Sequence, residues 1–126
     1  MKPEGAGVRM FFDTYAMVEI ARGNPRYQKY LDQERIILTK LNMVELYYAI
    51  LRDFNEVEAK KHYFFYLPFI EEITDEVVFE AMKFRLEHRN LSYADCVGYM
   101  TAKAKGEKFL TGDIVFKGLE NVEFVR

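Results

Sequence analysis

The sequence predicts an α/β domain with a mostly parallel central sheet covered by helices on both faces. Three observations point there. Short β-branched or aromatic runs alternate with stretches whose apolar residues recur at helical spacing. Gly, Pro, Asn or acidic residues punctuate the ends of those runs. Half of the 126 residues are hydrophobic, with 11 Phe, 9 Tyr and no Trp, which is apolar volume enough for a core that needs no staples. No repeat, linker or low-complexity stretch marks a boundary, so residues 1–126 are expected to form one domain.

The elements follow in order. Val8 to Phe12 reads as a strand closed by Asp13-Thr14, and Tyr15, Val18, Ile20 and Ala21 continue as a helix that Gly23-Asn24-Pro25 interrupts. Arg26 to Leu31 makes a second short helix, with Tyr27, Tyr30 and Leu31 on one face. Arg35 to Thr39 is β-branched and reads as a second strand. A helix is predicted over Asn42 to Arg52, with Asn42 as N-cap and Glu45 at the N3 position of a capping box. Asn55 caps the next helix, which reaches about Leu67 before Pro68. Phe69 to Ile73 is strand-like and leads into Thr74-Asp75-Glu76, an acidic helix start whose helix runs to His88-Arg89-Asn90. Ser92 opens a helix that Gly106 stops, Phe109-Leu110 forms a strand ending in Thr111-Gly112-Asp113, and Val122 to Val125 is the last strand. In such a sheet the crossovers are right-handed and ligands bind at the carboxyl ends of the strands.

Composition excludes several classes. A net charge of −2 lacks the basic footprint of a duplex-coating protein, while leaving room for a local basic rim. Cys96 is the only cysteine, and His62 and His88 are the only histidines and lie far apart, so no internal disulfide or Cys/His metal spacing exists. Met1 to Gly7 has no apolar signal core, and the richest apolar stretch, Tyr63 to Ile70, is too short to span a bilayer. These features predict a cytoplasmic protein with no membrane association.

Four acids sit at the ends of, or inside, apolar runs: Asp13, Glu45, Asp95 and Asp113. Each has an ordinary explanation when taken singly. Asp13 suits an N-cap, Glu45 with Asn42 and Asp95 with Ser92 match capping-box spacing, and Asp113 suits a turn after a strand. All four nevertheless fall on one edge of a parallel α/β layer, which independent capping predicts less often than a shared site does. Carboxylates within ~5 Å of one another repel by about 3 kcal/mol per ionised pair at an effective dielectric of about 20. Such a cluster takes up protons or a cation, and an all-oxygen ligand set with solvent room favours Mg²⁺, or Mn²⁺, over Zn²⁺. Bridged to a phosphodiester, such an ion polarises the ester, orients a water and stabilises the leaving oxygen.

Phe12-Asp13-Thr14, Asn42-x-x-Glu45-Leu46, Leu91-Ser92-Tyr93-Ala94-Asp95-Cys96 and Leu110-Thr111-Gly112-Asp113, with Phe116 beyond, resemble in order and spacing the PIN-domain ribonucleases, and among them the small VapC-type toxins. The resemblance covers nearly the whole chain. It implies a three-layer α/β/α PIN-like fold and a Mg²⁺-dependent endoribonuclease, usually a homodimer and often held inactive by a small antitoxin whose tail enters the groove. It assigns Asp13, Glu45, Asp95 and Asp113 to the metal, with Thr14 and Thr111 as hydroxyl supports. The chain departs from the family pattern at Tyr15, where Asn is common, at Asn42, where a small hydroxyl residue is common, and at the apolar Ile114 and Val115, where some members carry a further acid. These departures favour one metal over two.

Other features have simpler explanations. The aromatic run Tyr63 to Phe69 reads as core packing at a helix end, although a groove beside it and Tyr47-Tyr48 would suit an antitoxin segment. Lys103, Lys105 and Lys108, or Arg22 and Arg26, sit at turns from which RNA phosphates are within reach. Cys96 reads as a small buried residue, since no histidine lies in a motif to activate it, and His88 suits a helix C-terminus. Two other functions compete with the nuclease: a phosphoacceptor receiver domain, which usually pairs two acids after its first strand where this chain has Asp13 alone, and a catalytically silent PIN-like RNA- or protein-binding module.

Overall fold

Phe11 and Phe12 are wholly buried, and the strand that carries them, β1 (Met10–Phe12), lies inside the sheet rather than at its edge. The computed structural model describes residues 9–32 and 35–126. Val8, expected to open this strand, and the leading segment expected to lack a signal core lie outside the described residues.

β1 is flanked by β2 (Ile36–Ile37) and β3 (Lys108–Thr111), and β4 (Val122–Phe124) adds to the far side of β3, giving the order β2-β1-β3-β4. Every pairing is parallel, so all four strands end on the same edge. The crossovers hold the helices. α1 (Thr14–Ala21) follows β1, while α2 (Lys40–Asp53), α3 (Glu56–Tyr66), α4 (Asp75–Glu87) and α5 (Tyr93–Ala104) run between β2 and β3. α1 and α5 both pack on the central strands, α2 pairs with α3, and α4 pairs with α5. The result is the predicted α/β/α arrangement with a parallel sheet. Among the described residues no helix is long and apolar enough to cross a membrane.

The core is aromatic and tightly fitted. Phe11 stacks on Phe109 with ring centres 5.5 Å apart, and Phe109 meets Phe116 at 4.6 Å and Tyr99 at 5.7 Å. Full burial of rings of this size contributes roughly 1.5–3 kcal/mol each. Gly98 on α5 makes this approach possible, because a Cβ there would sit 2.8 Å from the edge of the Phe11 ring. Cys96 is buried on the same helix, and burial pushes its thiol up to about 11, consistent with a packing residue rather than a nucleophile.

Three predicted elements differ in the structure. The strand expected at Phe69–Ile73 is a 3₁₀ turn over Leu67–Phe69 followed by a single parallel bridge between Leu38 and Ile70. Pro68, at the start of that turn, has no N–H to give to a ladder, and only the Leu38–Phe69 and Glu71–Leu38 backbone bonds form. The short helix after the Gly-Asn-Pro break is 3₁₀ (Pro25–Tyr30), capped by the Asn24 side chain. α2 begins at Lys40 rather than Asn42, with Thr39 as its N-cap in the capping box. Asn42 Oδ1 accepts from the Thr39 N–H at 3.1 Å and from the Thr39 hydroxyl at 2.8 Å, so Asn42 is the N3 partner and Glu45 is released from capping.

Candidate active site

Parallel pairing in register brings the ends of β1 and β3 together. Phe12 pairs with Leu110, and the Asp13 N–H extends the ladder by donating to the Leu110 carbonyl at 3.1 Å. Asp13 and the Thr111-Gly112-Asp113 turn therefore leave the sheet side by side. Ser92 and Asp95 arrive at the N-terminus of α5, and Glu45 arrives from the second turn of α2. Asp13, Glu45, Asp95 and Asp113 all line one open groove of about 500 Å³.

The structure separates the capping explanations of these acids. Asp13 occupies the N-cap position of α1, but its side chain makes no cap bond. Instead its Oδ2 accepts the Thr111 hydroxyl at 2.7 Å. Glu45 Oε1 accepts the Thr14 hydroxyl at 2.7 Å, and Thr14 Oγ1 in turn accepts from Asn42 Nδ2 at 3.3 Å. A chain of hydrogen bonds thus runs from the α2 N-cap to Glu45. Asp95 does form the capping box: its Oδ2 accepts the Ser92 N–H at 2.9 Å, while Ser92 Oγ accepts the Asp95 N–H at 3.0 Å. Asp113 Oδ1 accepts the Val115 N–H at 3.2 Å and starts the 3₁₀ turn Ile114–Phe116. Capping and lining the groove coexist at Asp95 and Asp113. Each carboxylate is held through one oxygen, which fixes its orientation and leaves lone pairs for a ligand.

The electrostatics reflect the crowding. Asp13 is 3 % exposed, and its carboxyl is pushed up to about 7, chiefly by burial, against the lowering effect of the Thr111 bond and with added repulsion from Asp95 and Glu45. Burial also raises Glu45 and Asp95; Asp95 repels Glu45, and Asp113 repels Asp95. Asp95 is thus the electrostatic hub of the four. Among the described residues no group of three or more acidic, His or Cys side chains is gathered closely enough to hold a metal ion. Oxygen donors alone are the chemistry of a hard divalent cation, and such an ion can keep several waters and take only one or two protein carboxylates.

The groove contains residues that the motifs did not single out. Glu19 and Val18 line it from α1, and Ala49 and Arg52 line it from α2. The signal was present in the spacing: Tyr15, Val18, Glu19 and Arg22 share one face of α1, and Glu45, Tyr48, Ala49 and Arg52 share one face of α2. Once Glu45 faces the groove, the other three on α2 must follow.

Of the basic residues weighed for phosphate binding, Arg22 lines the groove and the lysines do not. Lys108 begins β3 and so lies at the opposite edge of the parallel sheet from Asp113. Lys103 pairs with Glu120 at 2.5 Å and Lys105 with Glu71 at 3.3 Å, while Arg26 donates to the Arg126 carbonyl at 3.0 Å. The aromatic run also divides. Tyr66 is fully buried and cannot meet a partner chain, whereas Phe64 and Tyr48 are 64 % and 63 % exposed.

A family model described as PIN domain matches residues 10–121. Comparison with curated protein sequences finds no match. Solved structures of similar fold include a toxin–antitoxin complex from Klebsiella pneumoniae, 17 % identical over 90 % of this chain and 95 % of that one, with a TM-score of 0.71. Mycobacterium tuberculosis VapC20, described as a Sarcin-Ricin loop cleaving toxin, is 14 % identical over 90 % of this chain and 98 % of its own, with a TM-score of 0.72. VapBC2 from Rickettsia felis, bound to a DNA fragment from its promoter, is 16 % identical over 92 % and 96 %, with a TM-score of 0.70.

Proposed function

Because the chain belongs to the PIN-domain family, we propose that it is a Mg²⁺-dependent endoribonuclease that hydrolyses RNA phosphodiester bonds, and that it is the toxin of a VapBC-type pair acting in the cytoplasm. One observation carries this reading. Four acids from separate parts of the chain line a single groove, each held by one oxygen, with the Asp13 carboxyl pushed up to about 7.

Asp13, Glu45, Asp95 and Asp113 would hold the ion. When bound, Mg²⁺ supplies positive charge that polarises the scissile phosphate and stabilises the leaving oxygen. The chain's own residues do the rest. Thr14 and Thr111 donate to Glu45 and Asp13, which would orient these carboxylates before substrate arrives. Crowding makes the ionised state of the cluster unfavourable by itself, which couples cation binding to proton release at Asp13. One of the four carboxylates would, through an oxygen left free by the ion, help to orient the attacking water.

The antitoxin assignment rests on the toxin–antitoxin assemblies among the structures of similar fold. The RNA assignment rests on the family and on the similarly folded protein described as a Sarcin-Ricin loop cleaving toxin. The test is cleavage of a mixed tRNA and single-stranded RNA pool by purified protein with Mg²⁺ or Mn²⁺, compared with EDTA and with Asp13→Asn. Metal-dependent products that disappear in the variant are expected. Cleavage retained in both Asp13→Asn and Asp95→Asn, with contaminants excluded, would overturn the reading.

A further inference from the structure

Resting on the ribonuclease reading, we propose that Arg22 and Arg52 form a phosphate-binding subsite at the end of the groove remote from the carboxylates, which holds the phosphate of a flanking nucleotide of single-stranded RNA while its base stacks on Tyr48.

The two arginines come from different helices and meet at one carboxylate. Arg52 Nε donates to Asp53 Oδ1 at 2.8 Å and its Nη2 donates to Oδ2 at 3.1 Å, while Arg22 Nη2 donates to the same Oδ2 at 3.2 Å. Two guanidiniums share one carboxylate, which leaves positive charge uncompensated within this triad. Most of their N–H donors also remain unspent, and a guanidinium presents those donors in a fork that matches phosphate oxygens. Asp53 thus fixes the arginines in place without saturating them. Their side chains are 51 % and 55 % exposed, so a ligand can reach both.

Position along the helices sets the spacing. Glu45 and Arg52 lie on the same face of α2 about two turns apart, roughly 10 Å along its axis, and Asp13 and Arg22 flank the two ends of α1. The arginines are therefore displaced along the groove from the carboxylates and suit a phosphate further along the strand than the one held there. Tyr48 stands between the two ends on α2, with the Arg52 guanidinium 5.5 Å from its ring centre. An exposed ring beside a cation is the usual platform for an unpaired base. Glu19, on α1 one turn before Arg22, also lines the groove and offsets part of the arginines' positive charge, so the subsite rests on the unspent guanidinium donors rather than on net charge. The division matters for a polyanion: the acidic end repels phosphate until a cation is present, so purchase at the cationic end must come from the arginines.

The experiment measures cleavage and, with Asp13→Asn as background, binding of a fluorescent single-stranded RNA across a salt series. It compares the parent, Arg22→Gln/Arg52→Gln, Arg52→Lys, Tyr48→Leu and, as a control on α4, Lys83→Gln. Circular dichroism checks that each folds. The double variant is expected to bind about tenfold or more weakly, to raise KM more than it lowers kcat, and to flatten the salt dependence by about 0.7 for each RNA phosphate it no longer neutralises. Arg52→Lys, which keeps the charge and loses the fork, should fall between, Tyr48→Leu should weaken binding with the salt slope unchanged, and Lys83→Gln should match the parent. RNA binding, KM and salt slope unchanged in the folded double variant, with cleavage intact in the parent, would refute the subsite and leave the ribonuclease reading standing. A parent that neither binds nor cleaves RNA would remove both.

Discussion

Thr111 donates its hydroxyl to Asp13 across 2.7 Å, joining residues that lie 98 positions apart in the chain. The same oxygen accepts the Asp113 N–H at 3.0 Å. One buried hydroxyl therefore sets the position of two of the four groove acids, and it is present only because β1 and β3 run parallel and in register. Thr111→Val keeps the shape and leaves both partners without their bond. A loss of about 1–3 kcal/mol is expected in urea unfolding, together with weaker Mg²⁺ binding, while Thr111→Ser should retain most of both. Equal stability of the Val variant and the parent would show that the hydroxyl is incidental.

Asp13 makes stability depend on pH with an unusual sign for an acid. Its folded carboxyl is raised from 3.8 to about 7, so between those values the folded state holds a proton that the unfolded state has lost. Stability of the metal-free protein should therefore fall as pH rises from about 4 to about 7 and then level off. The limit is about 4 kcal/mol if the whole difference is realised. Glu45 and Asp95 act in the same direction, whereas the exposed Asp53, lowered to about 2 by Arg52 and Arg22, adds stability at higher pH that is lost on acidification. Asp13→Asn should raise the Tm of the metal-free protein more at pH 8 than at pH 5. Thermal scans at the two pH values, with and without Mg²⁺, measure this directly.

Gly112 is the tight point of the site. A Cβ there would run into the Val125 carbonyl oxygen and the Tyr15 ring and stand 2.9 Å from the Tyr27 hydroxyl. Val125 is itself fixed, since its N–H donates to the Thr111 carbonyl at 2.9 Å and its carbonyl accepts from Tyr27. Backbone cannot give way as a flexible side chain can, so Gly112→Ala is expected to cost roughly 1–3 kcal/mol or more and to displace Asp113. Gly23→Ala, which has open space but a φ of 80°, is the comparison: it should lose some stability to backbone strain and retain activity.

Tyr66 is fully buried, and its hydroxyl finds no hydrogen-bond partner among the described residues. An unsatisfied buried hydroxyl costs free energy that an apolar ring avoids. Tyr66→Phe should therefore be neutral or stabilising by about 1 kcal/mol in denaturant unfolding, with activity unchanged. A clear loss of stability would reveal a partner for the hydroxyl.

Strand and helix periodicity, the Asn55 and Ser92 caps, and the α/β class were legible because they depend on neighbours within a few residues. Local signals failed where two explanations competed over the same few positions. Asn42 carried a credible N-cap pattern, yet Thr39, three residues earlier, closes the box, because the extended strand geometry persists through Thr39 and the helix starts at once after it. The extended look of Phe69–Ile73 overstated a segment that forms only one rung of pairing next to Pro68.

By itself the sequence determined the class of the fold and picked out four acids that line one groove, since apolar periodicity and acids at the ends of apolar runs are written locally. Tertiary structure alone decided how those acids behave. Desolvation at Asp13 requires the sheet around it, and the ties to Thr111 and Thr14 cross between elements distant in sequence. The meeting of Arg22 with Arg52 at Asp53 requires α1 and α2 to end side by side. Burial and Coulomb coupling depend on distance in space, and along this chain that distance is set by strand register and helix packing rather than by spacing in sequence.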